Sequence, residues 1–185
     1  TYLMDEFLRR QLLDGVAVLD TRSHPILLES TKVDKLIAYI ELLDRWNKTY
    51  NLTAVRDPAM MVVRQLLDSL AITPFIDGER VIDVGTGPGL PGIPLAIAFP
   101  ERQFALLDSN GKKTRFLFQV KTQLGLNNIE IIESRVESHQ PAAQYDAVVT
   151  RAFADLGLTA RLCQHLLPLQ GKIYAMRARQ GDDAN

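Results

Sequence analysis

Residues 80–95 read RVIDVGTGPGLPGIPL, and this stretch decides the fold. Val81, Ile82 and Val84 make a short apolar run, the mark of a buried strand. Gly85, Gly87, Gly89 and Gly92 follow, with Pro88, Pro91 and Pro94 among them. Proline suits the first turn of a helix, because the N–H it lacks would have no partner there. The stretch therefore predicts a strand, a tight glycine turn and a helix from about Pro91. A turn without Cβ atoms lets the backbone come close to a ligand.

The class of ligand follows from what surrounds the glycines. No Lys-Ser or Lys-Thr comes after them, which excludes a phosphate-gripping P-loop. Gly87-x-Gly89-x-x-Gly92 fits the dinucleotide fingerprint, a weak pattern by itself. Asp83-x-Gly85-x-Gly87-x-Gly89 resembles the first motif of S-adenosylmethionine-dependent methyltransferases. That resemblance implies a strand-end carboxylate near the amino-acid end of the ligand. A carboxylate there would repel a pyrophosphate and attract a cation. A nicotinamide or flavin site and a plain strand–helix connection stay open, although a plain connection does not need three glycines at two-residue spacing.

The 185 residues suit one main domain with an appendage, and 46% hydrophobic residues are ample for a core. The net charge of −1 lends no whole-chain support to nucleic-acid binding, so any basic face must be local. Cys163 is the single cysteine, which excludes an internal disulfide and points to a reducing, cytoplasmic setting. No apolar run nears the ~18 residues of a membrane span. The start, TYLMDEFLRR, lacks the apolar core of a signal peptide. A first residue Thr gives the expectation that the chain begins inside a longer product.

Residues 1–78 read as a helical extension and 79–185 as an α/β domain. Leu3, Phe7, Leu8 and Leu12 recur at helical spacing, with Gly15 as the expected stop. His24-Pro25 predicts a break. Thr31 is the expected cap of a second helix, whose face carries Val33, Leu36, Ile37, Ile40, Leu43 and Trp46–Asn47. Asp57-Pro58 predicts a third start, and Asp77-Gly78 a turn. From residue 80 strands and helices alternate: strand 80–84, helix 91–98, strand 103–107 ending at Asp108, helix 111–124 closed by Gly125, strand 129–132, strand 145–150, helix 156–167 capped by Asp155, and strand 172–176. This order predicts a Rossmann-like parallel sheet with helices on both faces. Trp46, Tyr50 and the N-terminal apolar stripe read as core rather than as a platform for bases.

Ligands of such sheets sit beyond the carboxyl ends of the strands. Past the second strand stands Asp108, placed to accept hydrogen bonds from ribose hydroxyls, with capping of the next helix as the alternative. Past the third stand Arg135, Val136 and Glu137, where such sheets usually hold adenine by backbone groups and apolar contact; the first turn of a helix is the compatible alternative for Val136-Glu137. Past the fourth comes Thr150-Arg151-Ala152-Phe153, without the Asn/Asp-Pro-Pro-aromatic motif used to methylate exocyclic amines. A nucleophile with a free lone pair, such as guanine N7, has no proton to lose and needs mainly alignment. Arg151 could grip guanine O6 or the ligand's carboxylate, or be a surface arginine paired to an acid. Lys112, Lys113, Arg115 and Lys121, with Arg135 and Arg151, make either a local phosphate-binding rim or a solvated helix face. His24, His139, His165 and Cys163 lack metal-ligand spacing, so no metal is expected.

Several motifs outside the turn agree in order and spacing with one family. Trp46-Asn47-x-x-x-Asn51-Leu52-Thr53, Val55-Arg56-Asp57-Pro58, Leu67-Asp68-Ser69, Leu106-Leu107-Asp108-Ser109, Ser134-Arg135-Val136-Glu137 and Arg151-Ala152-Phe153-Ala154 resemble the ribosomal RNA small subunit methyltransferase G family, also called the glucose-inhibited division protein B family. The resemblance covers residues 31 to 177. It implies a class I methyltransferase fold and methyl transfer from S-adenosyl-L-methionine to N7 of one guanine in bacterial 16S rRNA, leaving S-adenosyl-L-homocysteine. By carry-over Gly85, Leu90, Val136, Glu137 and Arg151 match the family's cofactor-contact positions, and Arg135 a position of functional interest; with Asp83, Gly87 and Asp108 from the turn and the strand ends they make the expected cofactor site, and Arg135 and Arg151 are the candidates for positioning the substrate. Lys112, Lys113 and Arg115 are expected RNA contacts. The partner is 16S rRNA or the small ribosomal subunit, and the expected state is a monomer. Gln65 stands where the family often has His, and Arg177 where it often has Lys. Family members run on into an antiparallel strand pair, so the C-terminal strands are expected to be missing here and a sheet edge left bare. The competing readings are a small-molecule methyltransferase, an RNA- or ribosome-binding module without turnover, and a dinucleotide oxidoreductase.

Overall fold

The computed structural model describes residues 2–19, 26, 28–151 and 155–177. His24-Pro25, Ala152–Ala154 and the polar tail lie outside the described residues. Five strands form one sheet: β1 (Arg80–Val84), β2 (Gln103–Asp108), β3 (Ile129–Glu133), β4 (Ala147–Arg151) and β5 (Lys172–Met176). Their order is β3-β2-β1-β4-β5, and every pairing is parallel. Strand order reverses between β1 and β4, so the crevice for a ligand lies past the end of β1.

Side chains alternate across the pleat and divide the interior in two. Val81, Phe104, Leu106, Ala147 and Val149 face a core shared with Leu36, Ile40, Ile93, Phe116 and Leu117. Ile82, Val84, Ala105, Leu107 and Val148 face the other, with Val136, Cys163 and Leu166. The first core is covered by α1 (Tyr2–Leu19), α2 (Ser30–Tyr50), α3 (Pro58–Met61), α5 (Gly92–Ala98) and α6 (Gly111–Leu124); the second by α7 (Leu156–Cys163). Helices therefore lie on both faces, as the strand–helix alternation predicts. The N-terminal helices bury their apolar face in the same core as the sheet.

Local sequence explains the element ends. Asp57 accepts from Ala59 N (3.0 Å) ahead of Pro58, and Asp155 accepts from Leu158 N (3.0 Å) at the start of α7. Asn110 accepts from Lys112 N (2.9 Å) at the start of α6, which Gly125 closes.

Five expectations are corrected. Gly15 does not stop α1, which runs to Leu19. It stands where Leu67 presses on the helix, and a Cβ there would overlap the Leu67 side chain. Leu3 and Phe7 are 81% and 55% exposed, because the buried stripe of α1 is Leu8, Leu12 and Val16. Thr31 is not the cap of α2: the Glu29 carbonyl accepts from Lys32 N and Val33 N, so Ser30 is the first helical residue. Tyr50 is exposed rather than core, beside a half-buried Trp46 that packs on Phe116 with ring centroids 5.6 Å apart. The fourth strand begins at Ala147, since Tyr145 N bonds Leu166 O instead. The helix started at α3 also continues in an unexpected way, through a π-helical segment (Val62–Leu67) into α4 (Asp68–Leu70). Such segments are rare and occur often at functional sites.

Candidate functional site

The turn after β1 is fastened to β2. Gly85 N and Thr86 N both donate to Leu107 O (2.9 and 3.0 Å). Gly87 N donates to Asp108 Oδ2 (2.8 Å), and Asp108 Oδ1 accepts from Asn110 N (2.8 Å). The turn then closes on itself, with Gly89 N and Leu90 N donating to Thr86 O (3.0 and 2.9 Å). Asp83 secures its far side: Oδ2 accepts from Thr86 Oγ1 (2.7 Å) and Gly92 N (2.8 Å). The other oxygen of this fully buried carboxylate, Oδ1, has no hydrogen-bond partner.

Burial pushes the Asp83 carboxyl up to about 7, although the bonds from Thr86 and Gly92 and the charge of Arg151 act the other way. Between its ordinary value near 3.8 and that raised value, the folded chain holds a proton that the unfolded chain has lost. Folding stability from this group is therefore present at low pH and falls as pH rises through that window, by at most about 1.4 kcal/mol per pH unit. Asp83→Asn keeps an acceptor and cannot titrate. Denaturant unfolding of the variant between pH 4 and 7 is expected to show a shallower decline than the parent, and parallel curves would remove the buried proton from the account.

The expected residues form two groups, one on each side of the turn. A cavity of about 410 Å³ lies at the carboxyl ends of β1, β2 and β3. Gly85, Asp108, Arg135, Val136 and Glu137 line it, with Leu158 and Leu162 of α7 as an apolar wall. Asp83 and Arg151 belong to the opposite face, toward α2 and the π segment. Arg151 reaches that segment, its guanidinium 3.4 Å from Arg64 O. Leu90 is buried in the main core, tied to the turn through its N–H.

The basic residues do not form one row. Lys112 and Arg115 are exposed near the start of α6, and Arg115 Nε donates to Gly111 O (3.1 Å). Lys113 leans toward the turn, its Nζ 3.9 Å from where a Cβ on Gly87 would stand. Lys121 leaves the expected rim altogether: its Nζ donates to Ile129 O (2.7 Å), at the opposite end of the sheet. Arg135 is exposed beside Glu137, at 3.5 Å. Gln65 turns inward, Nε2 donating to Thr53 Oγ1 (2.7 Å), while its Oε1 lacks a partner.

Two further residues, outside those expected from the sequence, shape the turn. Thr86 was legible as a hydroxyl three residues past the strand-end acid. Tyr39 of α2, whose hydroxyl donates to Pro88 O (2.8 Å), carries no local signal, because its partner lies forty-nine residues away.

Comparison with known proteins settles the lineage. The profile of the family described as rRNA small subunit methyltransferase G matches residues 32–184. The chain belongs to this family. Curated ribosomal RNA small subunit methyltransferases G include one from Hydrogenovibrio crunogenus, 58% identical over 80% of this chain and 69% of its own length. Another, from Alteromonas mediterranea, is 51% identical over 94% of this chain and 82% of its own. The span matched to the methyltransferase G family takes in the whole site and leaves out α1.

Solved structures agree on the fold. Coclaurine N-methyltransferase, bound to N-methylheliamine and SAH, aligns with a TM-score of 0.55 at 15% identity, covering 93% of this chain and 58% of that one. A putative S-adenosyl-L-methionine-dependent methyltransferase from Methanococcus maripaludis aligns at 0.52 and 24% identity, covering 75% and 62%. This member of the methyltransferase G family thus has the class I methyltransferase fold.

Proposed function

We infer that the chain transfers a methyl group from S-adenosyl-L-methionine to N7 of a guanine in 16S rRNA, leaving S-adenosyl-L-homocysteine. The observation that carries this reading is the Asp108 carboxylate bonded to Gly87 N at the rim of the cavity. It joins the glycine turn to the strand-end acid at the point where a nucleoside fits. The cavity suits such a ligand: a carboxylate for vicinal hydroxyls, Val136, Leu158 and Leu162 for an aromatic base, and Glu137 at the edge.

On this reading Gly85, Gly87, Asp108, Val136 and Glu137 hold the nucleoside part. Asp83, Leu90 and Arg151 serve the amino-acid end, Asp83 from beneath the turn, where its carboxyl fixes Thr86 and Gly92. The bound cofactor supplies a methyl on a sulfonium, which the N7 lone pair takes while the broken bond's electrons stay on sulfur. The protein's task is alignment, with no proton to remove. Arg151 and Arg135 position the guanine, and Lys112, Lys113 and Arg115 meet the RNA phosphates. The α/β domain, read as residues 79–185, carries the transfer, and α1, α2 and α3 of the N-terminal extension pack on its sheet. The setting is the cytoplasm, with the chain acting as a monomer on rRNA or the small subunit; among the described residues no helix is long and apolar enough to cross a membrane.

Calorimetry with S-adenosylhomocysteine and, separately, NADH tests the ligand class. Binding of the first alone is expected, and binding of NADH alone overturns the reading. Lys112→Ala with Arg115→Ala removes exposed charge without touching the turn. Cofactor affinity is expected to hold, while the slope of log affinity for 16S rRNA against log salt falls by about one to two. An unchanged slope would take these residues out of the RNA surface.

A further inference from the structure

Tyr39 lies in the N-terminal helices, outside every motif of the α/β domain, yet it touches the glycine turn. It is fully buried on α2 and its hydroxyl donates to Pro88 O at 2.8 Å. Pro88 sits between Gly87 and Gly89, both at positive φ, and has no N–H of its own. The first half of the turn is held by β2, through Leu107 O and Asp108. Gly92, at the start of α5, is held by Asp83. Tyr39 holds the crest between these anchors, from a different part of the chain.

The tyrosine is itself held firmly. Its ring packs against Phe116 of α6, centroids 6.3 Å apart, and Phe116 also carries Trp46 of α2. α2 is further pinned to α5 by Lys32 Nζ, which donates to Ala98 O (3.1 Å). A buried phenol needs a hydrogen-bond partner, and here the Pro88 carbonyl is that partner. Burial also raises its pKa well above the usual tyrosine range, so it remains a donor under all working conditions.

We propose that Tyr39 is a positioning residue for the cofactor: its hydrogen bond to the Pro88 carbonyl fixes the crest of the glycine turn in the form that receives S-adenosylmethionine. This rests on the cofactor reading given above and adds a role for the N-terminal helices that the α/β motifs do not contain. The helical segment is then part of the cofactor site, acting through backbone it does not own. Loss of one neutral hydrogen bond sets the scale at about threefold to tenfold in affinity.

The test is Tyr39→Phe in the full chain, with Tyr145→Phe beside it. Tyr145 is also a buried phenol, bonded to His139 Nε2 (3.0 Å), far from the turn. Both variants are expected to lower the thermal midpoint. Only Tyr39→Phe is expected to weaken S-adenosylhomocysteine binding by calorimetry, by about threefold to tenfold. KM for the methyl donor should rise by the same factor, with kcat within about twofold of the parent at saturation. Hydrogen exchange at Gly89 and Leu90 should speed up in Tyr39→Phe and not in Tyr145→Phe. Parent-like affinity and exchange in a folded Tyr39→Phe overturn the proposal while leaving the cofactor reading intact. Equal losses of affinity in both variants also overturn it, since general destabilisation then accounts for the effect. A parent chain that binds no S-adenosylhomocysteine overturns the cofactor reading and the positioning role together.

Discussion

Gly89→Ala is expected to destroy cofactor binding and to destabilise the fold by about 2–5 kcal/mol, the sum of backbone strain and overpacking. Gly89 has φ +101°, a conformation that L side chains rarely adopt. An added Cβ would overlap the Ile93 side chain and stand 2.9 Å from Leu117 Cδ2. Both neighbours are fully buried, so the turn itself must give way. Its carbonyl accepts from Ile93 N (2.6 Å), and its N–H donates to Thr86 O, so a shift at Gly89 travels to both ends of the turn. Gly125→Ala is the internal comparison. Gly125 is also at positive φ (+61°), but a Cβ there would meet nothing within 4 Å. It should cost only about 1 kcal/mol, with cofactor affinity unchanged. Denaturant unfolding and calorimetry with S-adenosylhomocysteine read both quantities, and equal effects of the two substitutions would contradict the account.

Asp108→Ala is expected to lower cofactor affinity by about 100-fold or more, because two charge-assisted bonds and the proposed ribose acceptor go together. The carboxylate joins the turn to the next helix, through Gly87 N on one oxygen and Asn110 N on the other. A carboxylate has about four lone-pair sites, so these two bonds leave acceptors for hydroxyls of a sugar. Asp108→Asn keeps one acceptor oxygen and should fall between the parent and the alanine variant. Free adenosine offered as a competitor should lose affinity in parallel, since it carries the same ribose. If Asp108→Ala binds S-adenosylhomocysteine within about threefold of the parent, neither the tie to the turn nor the sugar contact matters for binding.

The two substitutions bear on the part of the chain most legible in sequence. The apolar run Val81–Val84, the glycines behind it and Asp108 at the end of a second apolar run are local patterns with local causes. So are the caps at Asp57 and Asp155, where a side-chain oxygen meets an N–H two or three residues on. What stayed hidden depends on distant partners. Gly15 looks like a stop from its neighbours alone, and only the arrival of Leu67 explains a glycine inside α1. Leu3 and Phe7 have helical spacing, yet the face that meets α2 and the π segment is the one carrying Leu8, Leu12 and Val16. Lys121 shares a helix with Lys112 and Lys113, but more than two turns of helix carry it to the opposite end of the sheet.

The site shows the same division. Sequence placed Asp83 at the strand end but not its burial, nor the bonds that turn it into a brace for Thr86 and Gly92. It placed Arg151 past β4, but not on the side of the sheet facing the π segment, away from the cavity lined by Arg135 and Glu137. Pleat parity decides that: Ala147, Val149 and Arg151 share one face of β4, and the first two lie in the core beneath α2.

Methyl transfer is read most directly with labelled S-adenosylmethionine, offered with small ribosomal subunits and with naked 16S rRNA. Label is expected on at least one of these substrates, confined to a single guanine, with strand scission there after alkali and aniline. No transfer to either substrate by a chain that binds S-adenosylhomocysteine, or label on a base other than guanine, would contradict methyl transfer to guanine N7.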